Sequence, residues 1–597
     1  MSAFTPRSGP CSPRHADPRP PRREEIVQLD GAAKKALETG RSRLLIGALV
    51  FGLAFLVIIG RLADVSLLQD VSEPRLADQA PVPPVAERAD IIDRNGIVLA
   101  TSLATFSLFA NPSQVQDADE SAKELAGVLP DLSAAELKAK LASDKTFVWL
   151  QRNLTPRQQL DVTRLGIPGL YFQAEEKRVY PLGSLVSHVV GFTDLDDRGQ
   201  EGIEAAQESL LAGKAGARRV IRDRTGRVIE EDEDLRAAQP GQDVLLTLDL
   251  RLQYFAYREL KAAVAQNHAK GGLVVVADSH TGDILAMANQ PGFNPNRPEE
   301  RASAGLRNRA VTDVFEPGST IKPLLIARGL ELGSVHSSDH IQTGAGVYKV
   351  GRLTIHDTHP HGDVDLATLL AVSSNVGAAK IGLALGPEAI YTGYRNFGIG
   401  EPVLAGFRGE AAGVLAPFAR WGEIGTATAS YGYGVSVNAL QLVRAYCALA
   451  NDGLMPQLSV LDQPRGEVVQ RAISANVARE VRHLMEGVVS VDGTAQKAEV
   501  KGYKVAGKTG TIRKNEGRGY FENRHQSVFI GMIPAEHPRL VGLVMIDEPA
   551  TGVYYGGLVA APVFSTVMEA AARFLQLAPD QMPVTQTAAA PAPVPPT

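Results

Sequence analysis

Three short segments hold residue types that could together perform acyl transfer. In the first, Ser319 and Lys322 stand at i and i+3, directly after a Pro-Gly pair that is typical of a helix start. Side chains at this spacing lie on one helix face, so the hydroxyl and the amine can meet. A hydroxyl is a weak nucleophile at neutral pH, and a lysine amine can activate it when burial or nearby positive charge lowers the amine pKa. The pair predicts Ser319 as nucleophile and Lys322 as its base.

The other two segments supply groups that can bind a substrate and relay a proton. Ser373 and Asn375 lie in LLAVSSNVGAA, where a hydroxyl can pass a proton to a leaving amine and an amide can position an ammonium. The third segment, YKVAGKTGTIRK, offers a carboxylate-binding cation and a glycine that admits another backbone. Its candidate substrate-binding residues are Lys508, Thr509, Gly510 and Thr511. Each motif alone is weak, but in this order they form the set found in serine penicilloyl-enzymes.

The elements that must position these motifs predict an α+β domain over residues 241–576. LVVVA and ILAMA, separated by the polar turn SHTGD, indicate a hairpin, and β-rich runs at 503–511, 527–533 and 541–546 follow near the far end. Helical patterns fill the interval from about 319 to 453. We expect a central antiparallel sheet built from both ends of the domain, with a helical lobe inserted and a cleft between the two.

The preceding region, residues 88–235, mixes short strand signals with polar helical stretches. Asn95-Gly96 between ADIID and IVLATS predicts a two-residue hairpin. ESAKELAGVLPDLSAAELKAKLAS, interrupted at Pro130, predicts a small helix pair. Because this region holds no catalytic constellation, we expect an accessory, pedestal-like or dimerisation-like domain.

The chain ends predict a membrane anchor and two solvated tails. Residues 44–60 are uncharged and almost wholly apolar, so we expect a transmembrane helix at 44–62 rather than a buried core helix or a cleavable signal peptide. Basic residues outnumber acidic ones before it, so the positive-inside rule places the N-terminus in the cytoplasm. Residues 1–43 and the Pro/Ala-rich residues 577–597 are expected to be disordered, and residues 63–87 form a linker.

Composition and isolated residues exclude several other classes of function. With 61 Lys and Arg against 66 Asp and Glu, the chain lacks the positive field that nucleic-acid binding needs. Two cysteines rule out a disulfide scaffold, and Cys11 and Cys447 are expected in different compartments. The histidines of TIHDTHPHG lie in a loop without a known ligand pattern, so no metal and no cofactor is expected. Glu316 and Glu410 are interpreted as capping or ion-pairing carboxylates.

Several longer segments carry a family resemblance. They are RADIIDRNG at 88–96, GQEGIE at 199–204, TGDILAMAN at 281–289, NRAVTDVFEPGSTIKP at 308–323 and YGYG at 431–434. In these segments the sequence resembles the class B penicillin-binding proteins. FRGEAAG at 407–413, VDGTAQKAEVKGYKVAGKTGT at 491–511 and YYGGLVAAPVF at 554–564 are similar to the division-specific FtsI-type subgroup. Ala89 departs from the glycine of many relatives, outside the catalytic lobe.

The resemblance implies a septal peptidoglycan D,D-transpeptidase of the inner membrane, with its catalytic domain in the periplasm. It implies that Ser319 attacks the carbonyl between two D-alanines, that Lys322 is the base, and that Ser373 and Asn375 assist proton transfer. Backbone N–H groups of Ser319 and Thr511 would form the oxyanion hole. The KTGT residues would hold the terminal carboxylate, and penicillins would acylate the serine because the strained lactam mimics the dipeptide.

The implied partners are peptidoglycan stem peptides on lipid-linked or nascent strands, penicillins, a membrane glycosyltransferase of the FtsW type and other division proteins. The alternatives are an elongation-specific transpeptidase of the same fold and a penicillin-sensing receptor. A hydrolytic enzyme would need a group that activates water on the acyl-enzyme, and the sequence shows no assignable deacylating glutamate. A pure scaffold would not need the intact serine, lysine and KTG motifs.

Overall fold

A computed structural model describes residues 31–63, 86–222, 228–302, 305–464, 470–515 and 519–581 of the chain. The chain divides into two compact units, 1–81 and 82–597. The expected tail at 1–30, which includes Cys11, lies outside the described residues. So do most of the expected linker, at 64–85, and the last part of the C-terminal tail, at 582–597.

The N-terminal unit contains one long helix, Gly31–Ala63. Its stretch Glu38–Ala63 has a mean hydropathy of 2.5, and its apolar side chains are exposed, with Leu49 at 72% and Phe51 at 70%. Such a length of exposed apolar surface fits a single-pass membrane anchor. The helix begins at Gly31, so the expected disorder of residues 31–43 is wrong. Good helix formers in GAAKKALE account for the longer helix.

The accessory region is built on a five-stranded sheet. Its long strand Val98–Ala110 pairs antiparallel with both Val148–Leu154 and Leu170–Val179. The strand Ile91–Ile92 pairs antiparallel with Val98–Ala110 across the Asn95-Gly96 turn and parallel with Val244–Leu245. The predicted hairpin is therefore confirmed, but its turn has more than two residues, because the N–H of Asp93 donates to the carbonyl of Ile97.

The predicted helix pair of this region is also confirmed. Ala118–Val128 begins after Asp117, whose side chain accepts two backbone N–H groups, and the helix ends before Pro130. Ala134–Leu141 begins after Ser133, which caps it in the same way. The remaining elements of the region are Pro156–Leu165, Ser187–Val190, Gly202–Ala206 and Glu208–Leu211 as helices, 3₁₀ turns at Pro112–Gln114 and Gly183–Leu185, and strands Phe192–Thr193, Gly199–Glu201, Ala217–Arg222 and Val228–Arg236.

A second five-stranded sheet forms the centre of the C-terminal domain, and all its neighbouring strands are antiparallel. In spatial order the strands are Ile284–Gln290, Gly271–Asp278, Leu540–Asp547, Tyr520–Ile533 and Ala506–Asn515. The first two come from one end of the domain sequence and the last three from the other, as predicted. The KTGT residues therefore lie on an edge strand.

Helices cover this sheet. Leu250–Gln266 and Ala561–Phe574 pack together and against the strands, and Ala439–Ala450 packs against the central strands as well. Every residue of the central strand Leu540–Asp547 is buried, so both faces of the sheet are covered. The strand's unbroken apolar run reflects this double burial.

The inserted lobe is not wholly helical, which corrects the expectation for residues 319–453. Strands His340–Gly344 and Gly362–Asp365 pair with each other, and so do Val347–Val350 and Leu353–His356. VYKV and LTIH alternate apolar and polar residues around Gly351, a hairpin signal that the broad helical pattern obscured. The other short strand pairs are Val414–Leu415 with Val435–Ser436 and Leu454–Met455 with Gln470–Arg471.

The helices of the lobe and of the segments that follow complete the domain. They are Arg309–Thr312, Lys322–Glu331, Leu366–Val372, Asn375–Leu385, Pro387–Asn396, Glu423–Ala429, Ala475–Glu486 and Gly556–Val559, with 3₁₀ turns at Pro298–Ala302, Gly318–Ile321, Phe418–Arg420, Gly487–Val489 and Gln496–Ala498.

Candidate active site

The predicted serine and lysine lie one helical turn apart. Ser319 belongs to the 3₁₀ turn Gly318–Ile321, and Lys322 opens the following α-helix. The backbone N–H of Lys322 donates to the carbonyl of Ser319, which closes this turn. In a 3₁₀ turn the side chains of residues i and i+3 are eclipsed, so both side chains project from the same face of the turn. Ser319 is half-buried, whereas Lys322 is fully buried.

A backbone contact with Gly432 and a hydrogen bond from Tyr446 hold the serine turn in place. The N–H of Gly318 donates to the carbonyl of Gly432 at 3.1 Å. A Cβ on Gly432 would lie 2.2 Å from the Gly318 carbonyl oxygen, so the YGYG segment needs glycine there. On the buried side, the hydroxyl of Tyr446 donates to the carbonyl of Thr320 at 2.7 Å. Sequence reasoning missed Tyr446, because an apolar helix containing one tyrosine gives no sign of this contact.

The Lys322 ammonium nitrogen contacts both residues predicted to assist it. Its Nζ donates to the carbonyl of Ser373 at 2.6 Å, to Ser373 Oγ at 3.3 Å and to Asn375 Oδ1 at 2.8 Å. Ser373 ends the helix Leu366–Val372 with φ at 60°, a conformation that non-glycine residues seldom adopt. This kink turns both the carbonyl and the hydroxyl of Ser373 toward the lysine.

The edge strand places Lys508 of the KTGT motif next to the hydroxyl of Ser373. Lys508, fully buried, donates from Nζ to Ser373 Oγ at 2.9 Å. Ser373 Oγ thus lies between two lysine nitrogens. Thr509 Oγ1 is 2.9 Å from Thr494 Oγ1, and a Cβ on Gly510 would come within 3.0 Å of Thr320. The strand can therefore pack tightly against the serine turn.

Thr511, the last residue of the motif, makes a structural contact. Its Oγ1 accepts the backbone N–H of Gly556 at 3.1 Å, in the YYGG segment. All eight predicted site residues thus lie on the serine turn, on its lysine helix, at the Ser373–Asn375 junction or on the adjoining edge strand.

The electrostatic surroundings favour neutral amines. Burial, with the nearby charge of Lys508, lowers the pKa of Lys322 well below its usual value, while the Asp357 carboxylate opposes this shift. Burial alone lowers the pKa of Lys508 to about 7. A neutral Lys322 amine can accept the proton of a serine hydroxyl, which its ammonium form cannot.

Asp357 is a positioning residue that the sequence analysis did not identify. Its carboxylate accepts the Ser374 hydroxyl at 2.6 Å and the backbone N–H groups of Asn375 at 2.5 Å and Val376 at 3.0 Å. These bonds cap the helix that carries Asn375. The carbonyl of His356 also accepts the Asn375 amide at 3.1 Å, so one loop fixes the orientation of the amide that contacts Lys322.

The other residues singled out in the sequence have different environments. Glu410 accepts the backbone N–H groups of Leu404 at 2.8 Å and Ala405 at 3.3 Å, which lie in a loop, so it orders this loop and does not cap a helix. Glu316 accepts the N–H of Gly434 at 2.8 Å and the hydroxyl of Tyr520 at 3.0 Å. In the described ranges no cluster of three or more potential metal ligands occurs, the TIHDTHPHG histidines included.

The cleft can therefore perform acyl transfer with its own side chains. Lys322 can activate the hydroxyl of Ser319, and Ser373 can pass a proton between the two lysines and a leaving amine. A lysine and threonine pair at the strand edge offers donors for a substrate carboxylate. Lys322, Ser373 and Lys508 are in contact, whereas the Ser319 hydroxyl forms no hydrogen bond among the described residues, and only the turn sets its position relative to Lys322.

The chain is similar to known families and proteins. The family description "Penicillin binding protein transpeptidase domain" matches residues 272–569, and "Penicillin-binding Protein dimerisation domain" matches residues 83–246. The chain is 41% identical over 527 residues to "Probable peptidoglycan D,D-transpeptidase PenA" of Neisseria gonorrhoeae, covering 88% of this chain and 90% of that protein. It is 36% identical over 555 residues to "Peptidoglycan D,D-transpeptidase FtsI" of Escherichia coli K12, covering 91% and 93%.

Two solved structures are similar as well. A peptidoglycan synthetase from Bifidobacterium adolescentis aligns with a TM-score of 0.68 at 28% identity, covering 84% of this chain and 98% of that one. The transpeptidase domain of Burkholderia pseudomallei penicillin-binding protein 3 aligns with a TM-score of 0.52 at 40% identity, covering 57% of this chain and 98% of that one.

Proposed function

The chain belongs to the class B penicillin-binding proteins and is a peptidoglycan D,D-transpeptidase, and from this premise we propose that it crosslinks septal peptidoglycan through an acyl-enzyme on Ser319. The similarity to proteins named FtsI and PenA over most of the chain supports the septal role. We also propose that β-lactams inhibit the enzyme by acylating the same serine.

In the proposed reaction the neutral Lys322 takes the proton of Ser319, whose oxygen attacks the carbonyl between the two D-alanines. Ser373 returns a proton to the departing D-alanine amine, and Asn375 orients Lys322. The acyl-enzyme then passes its acyl group to an amine of a neighbouring stem peptide. Backbone N–H groups of Ser319 and Thr511 stabilise the oxyanion, while Lys508, Thr509, Gly510 and Thr511 form the carboxylate site.

One observation carries this proposal: among the described residues, the hydrogen bonds of the fully buried Lys322 amine go to neutral oxygens, those of Ser373 and Asn375. When a buried amine lacks a carboxylate partner, burial destabilises its charged ammonium form relative to the neutral amine. The neutral amine can act as a base. That is the state a serine nucleophile requires.

The cellular arrangement is part of the proposal. We infer a cytoplasmic N-terminus before the anchor helix and a periplasmic catalytic domain, because nine basic residues against five acidic ones precede residue 44. The accessory region 88–235 and the transpeptidase domain 241–576 follow outside the membrane. A membrane glycosyltransferase of the FtsW type is the proposed partner, since crosslinking needs newly made glycan strands.

The chemical test is covalent labelling by a fluorescent penicillin. Ser319→Ala in the full-length protein should abolish labelling, because no other residue is assigned as nucleophile, whereas Ser490→Ala, at an exposed serine outside the motifs, should label like the wild type. Retained labelling of the Ser319→Ala protein at another residue would overturn the assignment. A tagged copy should accumulate at midcell, and uniform placement along the side wall would instead favour the elongation-specific role.

A further inference from the structure

A short segment after the last helix forms hydrogen bonds to the residues that lead into the KTGT strand. The composition of residues 577–581 predicts part of a solvated tail, but the structure places them beside this entry segment. The hydroxyl of Tyr503 donates to the carbonyl of Leu577 at 2.6 Å. The backbone N–H of Gln581 donates to the carbonyl of Gly502 at 3.1 Å. We call residues 577–581 the C-terminal strap.

Asp580 supplies the side-chain contact between the strap and the entry segment. Its Oδ1 accepts the backbone N–H of Lys504 at 2.7 Å. The carbonyl of Lys504 accepts the N–H of Ala535 at 3.0 Å, in the loop that follows the strand Tyr520–Ile533. Lys504 is therefore held both by the strap and by the neighbouring strand's loop, just before the edge strand begins at Ala506.

The second carboxylate oxygen of Asp580 makes this contact costly. Its Oδ2 is buried without a hydrogen-bond partner in the described structure, and a buried acceptor that finds no donor costs free energy comparable to a lost hydrogen bond. Burial and the Asp580 charge raise the pKa of Tyr503 above its ordinary value, so the tyrosine hydroxyl keeps its proton and remains a donor. Proteins retain such local costs chiefly at functional positions.

Hydrogen bonds supply much of the strap's attachment, because its middle is open to solvent. Leu577 packs against the core, but Ala578 and Pro579 are exposed. All three residues line a cavity of about 600 Å³, which Arg94 of the accessory region also lines. Since this part of the strap lies over open space, we expect the loss of one hydrogen bond to loosen its hold on the entry segment.

The edge strand that follows depends on such an anchor. Ala506–Asn515 pairs with Tyr520–Ile533 and lies at the end of the sheet order, so in the described structure one of its sides carries no further strand. Lys508 reaches from this strand to Ser373 Oγ at 2.9 Å, and a hydrogen bond weakens steeply when its geometry changes. A shift at the start of the strand would therefore move Lys508 relative to the serine turn.

We propose that the C-terminal strap positions the KTGT strand for binding of the substrate carboxylate, with Asp580 as the positioning residue. The inference rests on the proposed function, in which Lys508 and Thr509 hold the terminal carboxylate of the donor. Asp580 acts through the backbone of Lys504, not through contact with the donor. Such an indirect role can be large, since a misplacement of about 1 Å caused far from the chemistry can cost roughly 10²-fold in rate.

The test measures how strongly the enzyme prefers a ligand that carries a carboxylate. Benzylpenicillin and its methyl ester each compete with a fluorescent penicillin for the detergent-solubilised full-length enzyme. The ratio of their second-order acylation rates is the carboxylate preference. The ester offers no charge to Lys508 and Thr509, so the wild-type preference should be about 100-fold, from two hydrogen bonds to a charged group.

Side-chain variants test whether the strap sets this preference. Asp580→Ala should lower it about tenfold, and Asp580→Asn, which keeps an acceptor oxygen for the Lys504 N–H, should restore most of it. Tyr503→Phe removes the second contact and should lower the preference about threefold. Glu569→Ala, which deletes an exposed carboxylate of the last helix, is the matched control and should behave like the wild type.

Two truncations separate the strap from the residues that follow it. A chain that ends at Gln576 lacks the strap and should lose at least as much carboxylate preference as Asp580→Ala. A chain that ends at Gln581 keeps the strap, so its preference should equal that of the wild type.

An unchanged carboxylate preference in Asp580→Ala, Tyr503→Phe and the chain ending at Gln576 would overturn the positioning role while leaving the transpeptidase intact, provided that a fluorescent penicillin still labels Ser319. Equal slowing of the acid and the ester in these variants would overturn it too, because it would indicate a general loss of structure. If the wild-type protein is not labelled at Ser319, the proposed function itself is refuted, and the positioning role with it.

Discussion

Two clusters of buried cations in this protein have opposite surroundings. In the accessory region, Arg88 and Arg178 meet Glu204, with guanidinium-to-carboxylate distances of 2.6 and 2.7 Å, and all three side chains are buried. In the cleft, Lys322 and Lys508 are equally buried, but their hydrogen bonds go to hydroxyl, carbonyl and amide oxygens. The first cluster contains its own counter-charge and the second does not.

The ionisation behaviour of the two clusters follows from that difference. Burial lowers the pKa of Arg88, but the carboxylates of Glu204 and Glu208 more than restore it, so the net shift is upward. Burial lowers the pKa of both cleft lysines, and although the Asp357 carboxylate opposes the shift of Lys322, the net shift of each lysine is downward. A buried cation with a carboxylate partner therefore stays charged and joins segments, whereas one without such a partner becomes a base.

The segments joined by the paired cluster are distant in sequence. Arg88 lies in RADIIDRNG and Glu204 in GQEGIE, 116 positions apart, and Arg178 lies near the end of the strand Leu170–Val179. The two motifs thus contact each other in the fold, and this structural contact explains them without a catalytic role. Asp93 of the same segment accepts the N–H of Leu250, which ties the accessory sheet to the first helix of the catalytic domain.

A permanent charge on the unpaired lysine should abolish its role as a base. Lys322→Arg keeps a cation but removes the neutral base, since arginine does not lose its proton in proteins. We expect second-order acylation by a fluorescent penicillin to fall about 10³-fold, within the range of general-base contributions. Lys349→Arg, at an exposed site, should acylate like the wild type. Acylation of the Lys322→Arg protein within tenfold of wild type would show that the base is another group.

The paired cluster can be tested by removing the carboxylate that its two arginines share. Glu204→Gln leaves Arg88 with Glu208 alone and removes the carboxylate that pairs with Arg178, and breaking a buried pair in this way costs about 3–5 kcal/mol. Hydrogen exchange in the strand Val98–Ala110 should accelerate accordingly, while Glu136→Gln, an exposed substitution, should not change it. The acylation rate of the folded Glu204→Gln protein should stay near the wild-type value. A large loss of acylation without faster exchange would contradict the structural role.

Asp357 is a carboxylate that acts on the charge of Lys322 without contacting its amine. Asp357→Asn should slow acylation about tenfold, since it weakens the cap that orients Asn375. The Asp357 charge raises the pKa of Lys322, so its removal should lower that pKa further. The amine then stays neutral to lower pH, and the acid limb of the acylation profile should move to lower pH. Asp363→Asn is the exposed control, and a limb that moves to higher pH would refute the electrostatic role.

Much of the fold was predictable because its signals are local. The Asn95-Gly96 hairpin and the helix pair around Pro130 follow from turn and capping residues that act over a few positions. The central sheet followed from apolar runs of strand length. The errors were local as well: the anchor helix begins at Gly31 because helix propensity extends beyond the apolar segment, and the hairpin Val347–Val350 with Leu353–His356 interrupts a stretch interpreted as helical.

The functional groups of the cleft follow from residue types alone, because a hydroxyl, an amine and an amide are present wherever serine, lysine and asparagine are. The i, i+3 spacing of Ser319 and Lys322 likewise fixes their relation within one turn. What those groups do depends on their surroundings in the folded protein. Lys322 meets Ser373 across 51 positions, and Lys508 meets it across 135. Burial and the absence of a contacting carboxylate arise only when distant segments pack together, and these conditions make an ordinary lysine a base.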